Sequence, residues 1–229
     1  MLRARLIPSL LIHKGGLVKT VNFKNPKYVG DPINAIKIFN EKLADELIIM
    51  DIDASVKNVE PDYKLISNFA TESRMPLCYG GGIKNLEQAQ KIISLGVEKV
   101  AISSLALERP EEIPKIVSSI GSQSLVVVID VKKNKIFSGY SIYSHNGSKK
   151  YKTSLDKFIE ELMIYGVGEI VINSIDNDGV MEGFDIFLAK HIKSLITTPM
   201  TMLGGAGSLN HVSELLDEVG LIGVSCGSL

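Results

Sequence analysis

Eight short apolar runs alternate with amphipathic segments along the whole chain, and this alternation restricts the fold more than any other feature. The candidate strands are Arg5–Leu11, Glu46–Asp51, Pro76–Tyr79, Lys99–Ile102, Ser124–Asp130, Glu169–Ile172, Pro199–Met202 and Leu221–Ser225. They are mostly continuously apolar, as strands are when a parallel sheet is covered on both faces. Between them lie helical patterns at Pro32–Leu43, Asp62–Glu72, Asn85–Leu95, Arg109–Ile120, Leu155–Tyr165, Gly183–Ile196 and Ser208–Val219. Asn85 and Ser208 stand where N-caps are expected, and Gly96 and Gly220 where helices stop. Strands and helices in this order build either a (β/α)₈ barrel or a doubly wound sheet. No long interruption marks a point where a sheet would reverse, so the pattern predicts a barrel, one domain over residues 1–229. Such a barrel needs a helix over its eighth strand, and the chain up to Leu229 lacks that final helix.

Composition narrows the function. Hydrophobic residues make up 45% of the 229 residues and charged residues 22%, which suits a protein with a large core. A net charge of −1 argues against nucleic acid as a partner. The N-terminal apolar run is broken by Pro8 and followed by His13 and Lys14, so it is not a signal peptide. No apolar stretch is long enough to span a bilayer. Cys78 and Cys226 lack metal-ligand spacing and read as reduced thiols. A cytoplasmic protein without a membrane partner is expected.

Two connections are unusually long. Ile12–Asp31 contains Gly15, Gly16, Lys19 and Gly30, and Val131–Ser154 has the form of an inserted hairpin with Asn146-Gly147 at its turn. Both follow strands, on the face where barrels place their sites. The loops also repeat. Gly80-Gly81-Gly82-Ile83 follows the third strand and Gly204-Gly205-Ala206-Gly207 the seventh. Asp51-Ile52-Asp53 follows the second and Ser174-Ile175-Asp176-Asn177-Asp178-Gly179 the sixth. Features recurring four strands apart indicate two half-barrels of common design.

One glycine run alone is more often a tight turn. Two at equivalent positions, each preceding a helix, favour anion cradles built from backbone N–H groups. Gly81 and Gly82 pair with the hydroxyls Ser103 and Ser104 after the fourth strand, and Gly204 and Gly205 with Ser228 after the eighth. Lys19 either closes over an anionic substrate or is a solvated loop lysine. The inferred ligand carries two phosphates on opposite sides of the mouth.

Asp130 ends the run Leu125–Ile129, which puts a carboxylate at the mouth, either as a general acid/base or as a loop cap. Asp51 and Asp178 occupy comparable strand ends. The four histidines, His13, His145, His191 and His211, share no ligand spacing, so no metal is assigned, and no cofactor motif is present.

Arg5-Leu6-Ile7-Pro8, Asp51-Ile52-Asp53-Ala54-Ser55, the two glycine loops and Ser174–Gly179 occur in order along nearly the whole chain. In this combination the chain resembles the HisF family, the cyclase subunit of imidazole glycerol phosphate synthase. The resemblance implies a (β/α)₈ barrel of synthase/lyase type whose mouth takes a bis-phosphorylated ribulosyl aminoimidazole carboxamide. A glutaminase subunit would dock on the opposite, N-terminal face and send ammonia up the barrel. The family's channel gate falls on Arg5, Glu46, Lys99 and Glu169; the residues by themselves read as an ion-pair layer. Of the family's acid/base aspartate pair, one matches Asp130 and the other falls at Leu11, which has no ionisable proton. Ser103-Ser104 also replaces the usual Asn-Thr. These departures resemble the paralogues of surface-polysaccharide loci, which implies amidation of an acetamido to an acetamidino group. Two other functions stay open: an authentic histidine-pathway cyclase with Asp178 or Asp53 compensating for Leu11, and a non-catalytic activator of the glutaminase.

Overall fold

The computed structural model describes residues 3–134 and 139–227. Eight parallel strands close on themselves: β1 (Arg5–His13), β4 (Leu47–Asp51), β5 (Leu77–Gly80), β6 (Lys99–Ile102), β7 (Leu125–Lys133), β10 (Glu169–Ser174), β11 (Met200–Leu203) and β12 (Gly223–Cys226). The barrel closes where its first strand pairs with its last, β1 with β12, from Arg5↔Gly223 to Pro8↔Cys226, and β7 pairs with the next barrel strand β10 from Val126↔Glu169 to Val131↔Ser174. The (β/α)₈ expectation is met.

The short apolar runs form these strands because both faces are buried. One face packs inside the barrel, where Ile7, Ile48, Cys78, Val126, Val128 and Val171 form a small inner core. The other packs beneath the helices α1 (Pro32–Glu41), α2 (Tyr63–Glu72), α3 (Leu86–Ser94), α4 (Ser104–Glu108), α5 (Glu112–Ile120), α6 (Leu155–Tyr165), α7 (Ile186–Leu195) and α8 (Leu209–Val219). Ile36, Ile66, Ile92, Ile116, Ile159 and Leu215 are the fully covered anchors of this larger core. Among the described residues no helix follows β12, and no helix is long and apolar enough to cross a membrane.

Helix starts follow local chemistry. Asp31, Asp62, Asn85, Ser154, Asp185 and Ser208 each accept a hydrogen bond from the backbone N–H three residues on. Each such cap stabilises by ~1 kcal/mol. Sequence reasoning missed the short α4, which lies in the β6–α5 connection.

The two long connections are hairpins lying over the mouth. The first was expected only as a glycine-rich loop. It folds as β2 (Gly16–Val21), antiparallel to β1, and β3 (Lys24–Gly30), antiparallel to β2. Its two tight turns have Lys14 and Gly15 at φ +51° and +78°, and Asn22 and Phe23 at φ +50° and +62°. Positive φ at both central residues suits the twist of a two-residue hairpin, but Lys-Gly and Asn-Phe are weak signals for it. The second connection was expected as a hairpin and is one: β8 (Tyr140–Ser144) and β9 (Lys149–Ser154), with Asn146-Gly147 at the turn. Positions 135–138 lie outside the described residues.

Candidate active site at the barrel mouth

The C-terminal strand ends and the two hairpins enclose one cleft. Lys19, Gly81, Gly82, Ser103, Ser104, Asp130, Asp178, Gly204 and Gly205 all line it. Ser228 lies outside the described residues. Leu11 also lines the cleft.

The glycine loops are sterically required. Gly81 sits at φ +122°, and a Cβ there would come within 2.5 Å of the Asp51 carbonyl oxygen. Gly204, four barrel strands on, sits at φ +95°, with a Cβ position 2.7 Å from the Ser174 carbonyl oxygen. Each glycine thus lets its loop lie flat on the end of the preceding strand, and the pair repeats the half-barrel relation read from sequence. Close packing accounts for both conformations whether or not an anion binds. The polar atoms around them point more directly to a ligand. Ser9 Oγ, Ser103 Oγ and Asn173 Oδ1 are buried without a hydrogen-bond partner among the described residues, and all three residues line the cleft. Such atoms are rarely left unsatisfied.

Asp130 is a buried carboxyl of the cleft. Its Oδ1 accepts a hydrogen bond from Asn173 Nδ2 at 3.0 Å. Burial pushes the carboxyl up, the Asn173 hydrogen bond opposes this, and the Asp178 charge adds to it, leaving the pKa at about 7. Near neutrality the group can therefore both give and take a proton.

The other strand-end carboxylates have structural partners. Asp51 Oδ1 accepts from the backbone N–H groups of Asp53 and Ala54, at 2.9 and 3.1 Å. Asp53 is held by His13 Nδ1 at 2.7 Å and Lys57 Nζ at 2.8 Å. Asp178 latches the first hairpin: Thr20 Oγ1 donates to its Oδ2 at 2.8 Å, and Asn22 N to its carbonyl at 2.8 Å. Burial outweighs the Thr20 and Phe23 hydrogen bonds and raises the Asp178 pKa. Lys19, on β2, forms no ion pair among the described residues.

At the opposite end of the barrel the four expected charges meet in one ring. Arg5 bonds Glu46 at 2.8 Å and Glu169 at 2.6 Å, and Lys99 bonds Glu46 at 2.8 Å and Glu169 at 2.9 Å. Thr201 Oγ1 donates to Glu169 Oε1 at 2.6 Å. Burial acts to raise the Glu169 pKa, but Arg5, Lys99 and Thr201 outweigh it and hold the carboxyl at about 2. The ring seals the base of the barrel beneath the apolar inner core.

Sequence reasoning missed Asn173 and His145, which both line the cleft. The only sequence signal for Asn173 is a polar residue inside the apolar strand β10. For His145 it is the adjacent Asn146-Gly147 turn. A (β/α)₈ barrel with a charged ring at one end and a carboxyl-bearing glycine cleft at the other is the class that fold and site define, and the chain's sequence matches the family described as "Histidine biosynthesis protein". That family model matches residues 5–229. The chain belongs to this family. It is 53% identical over 229 residues to a Leptospira interrogans protein named "Putative imidazole glycerol phosphate synthase subunit HisF", covering 100% of this chain and 90% of the relative. A Pseudomonas aeruginosa protein named "Putative imidazole glycerol phosphate synthase subunit hisF2" is 52% identical, with 100% and 91% covered. The imidazole glycerol phosphate synthase subunit HisF of Lactococcus lactis subsp. cremoris is 35% identical over 218 residues, covering 95% of this chain and 84% of the relative.

Proposed function

We propose that this chain is a HisF-type synthase subunit that receives ammonia from a glutaminase partner docked at the N-terminal face. It uses the ammonia at the mouth on a small phosphorylated substrate, and it has diverged toward converting an acetamido to an acetamidino group in surface-polysaccharide synthesis. The observation that carries this reading is the coexistence of the Arg5–Glu46–Lys99–Glu169 ring with a cleft lined by Asp130 and by Leu11, the position at which the resemblance calls for a second acid.

The ring's role would be to open for ammonia, with Arg5 and Lys99 exchanging carboxylate partners as it passes. The unpaired Lys19, the orphan hydroxyl of Ser103 and the glycine loops support phosphate binding at the mouth. Asp130 supplies the proton transfer. Loss of a general acid/base group typically costs ~10²–10⁴-fold in rate, so Leu11 weakens ordinary cyclisation. The carboxylates that could compensate are otherwise engaged: Asp53 by His13 and Lys57, and Asp178 by the hairpin.

Calorimetry of the purified chain with the bis-phosphorylated cyclase substrate, and separately with a phosphorylated acetamido sugar, tests the reading. Uptake of one of them is expected. Binding of neither by the folded protein would overturn it.

A further inference from the structure

The β8–β9 hairpin carries a hydrogen-bonded chain with no role in the mechanism above. At its tip His145, Asn146 and Gly147 have φ of +52°, +56° and +74°. Histidine and asparagine enter this region more readily than most residues, and such conformations gather at functional sites. The tip is tied down on both sides. Asn146 Nδ2 donates to the Ile52 carbonyl across the mouth at 2.9 Å, and Ser148 Oγ donates to the His145 carbonyl at 2.6 Å.

The His145 side chain lines the same cleft as Asp130, and its Nδ1 is 2.7 Å from Ser144 Oγ. Ser144 is buried and lies 3.0 Å from the Tyr151 hydroxyl. Tyr151 donates to Glu108 Oε1 at 2.9 Å, which also accepts from Lys149 Nζ at 2.7 Å. Burial acts to raise the Glu108 pKa, but the Lys149 and Tyr151 hydrogen bonds outweigh it, so the carboxyl is ionised at neutral pH.

An ionised carboxylate only accepts, and a hydroxyl has one proton to donate. The Tyr151 proton is committed to Glu108, so Ser144 donates to the Tyr151 oxygen. Ser144 then has only lone pairs for His145, which places the imidazole proton on Nδ1. The Nε2 of neutral His145 is left as an acceptor, and it makes no hydrogen bond among the described residues.

We propose that His145 is a second catalytic acid/base residue of the cleft, with Nε2 as the proton-accepting atom and Ser144, Tyr151 and Glu108 as its positioning relay. The proposal rests on reading the cleft as the place where ammonia meets a phosphorylated substrate. When ammonia adds to a carbonyl carbon, the C–N bond forms, Nε2 takes one proton from nitrogen, and neutral Asp130 protonates the oxygen. As the C–O bond breaks, the imidazolium returns its proton to the departing oxygen and the second nitrogen proton restores Asp130. Ammonia and the carbonyl thus become an imine and water. His145 thus acts beside Asp130 at a different position of the cleft from Leu11.

His145→Asn provides the test, because asparagine tolerates positive φ and can still donate to Ser144, yet cannot take up a proton. The variant is expected to keep the wild-type melting temperature and affinity for the bis-phosphorylated cyclase substrate. Its single-turnover rate with ammonium chloride should fall by ~10²-fold or more. A wild-type rate in this variant would overturn the role of His145. Failure of the wild-type chain to bind both the bis-phosphate and a phosphorylated acetamido sugar would instead overturn the reading of the cleft, whereas uptake of the sugar alone moves the same single-turnover comparison to that sugar. Histidine-selective ¹⁵N NMR gives a readout independent of turnover: the relay requires the Nδ1–H tautomer in the wild type and its loss in Tyr151→Phe. A predominant Nε2–H tautomer in the wild type would overturn the relay.

Discussion

Asn173 donates to Asp130 at 3.0 Å between two neighbouring barrel strands, where the two residues are direct partners in the pairing of β10 with β7. The carboxyl's environment is therefore set by the register of these two strands. Removing the donor takes away the one contact that favours the charged form. Asn173→Leu should raise the Asp130 pKa above its value of about 7. A charge-assisted hydrogen bond contributes roughly 1.5–3 kcal/mol, which corresponds to an upward shift of about 1–2 pH units. Carboxyl ¹³C titration measures the shift directly, and an unchanged or lower midpoint would contradict it.

Because the folded pKa of Asp130 lies above its ordinary value of 3.8, the folded state binds the proton more tightly than the unfolded chain. Stability therefore falls as pH rises through the window from 3.8 to about 7, and the full cost persists above it. Asp130→Asn should stabilise the protein at pH 8 by roughly 2–4 kcal/mol and give no gain below the acid end of that window. Urea unfolding at a series of pH values gives the comparison.

Glu169 has the opposite sign. Its folded pKa of about 2 lies below the ordinary 4.5, so its contribution is complete above pH 4.5 and is lost as pH falls toward 2. Glu169→Gln leaves Arg5 and Lys99 with Glu46 alone at the buried base, and it should destabilise the protein by ~3–5 kcal/mol at neutral pH. At pH 2.5 the deficit should shrink, a comparison that denaturant midpoints provide.

Gly81 cannot accept a side chain. Alanine there would combine φ +122° with a Cβ 2.5 Å from backbone. Gly81→Ala should cost at least ~2 kcal/mol, since positive-φ strain adds to the displacement of Asp51. Differential scanning calorimetry with and without phosphate separates lost stability from lost anion binding.

Leu11→Asp restores a carboxyl at the cleft wall. On the proposed reading it should raise ammonia-dependent turnover of the bis-phosphorylated cyclase substrate by ~10²-fold or more. Steady-state assays with ammonium chloride test this, and no gain would remove the basis for assigning the weakened cyclisation to Leu11.

Much of this architecture was determined by the sequence alone. Apolar runs such as Leu125–Ile129 are short, contiguous and followed by capped helices, and local physics offers them little but buried parallel strands. The paired glycine loops, the four basal charges and Asp130 were legible because each sits at a strand end, and strand ends share a face once the sheet closes. Only the tertiary structure decided what those groups meet. Asn173 becomes the partner of Asp130 through the register between two neighbouring barrel strands. Asp178 proves to be a latch for the first hairpin, and His145 reaches the cleft because Asn146 ties its turn to Ile52 across the mouth. These contacts join residues far apart in the chain through side-chain direction and proton geometry, which residue type and spacing do not encode.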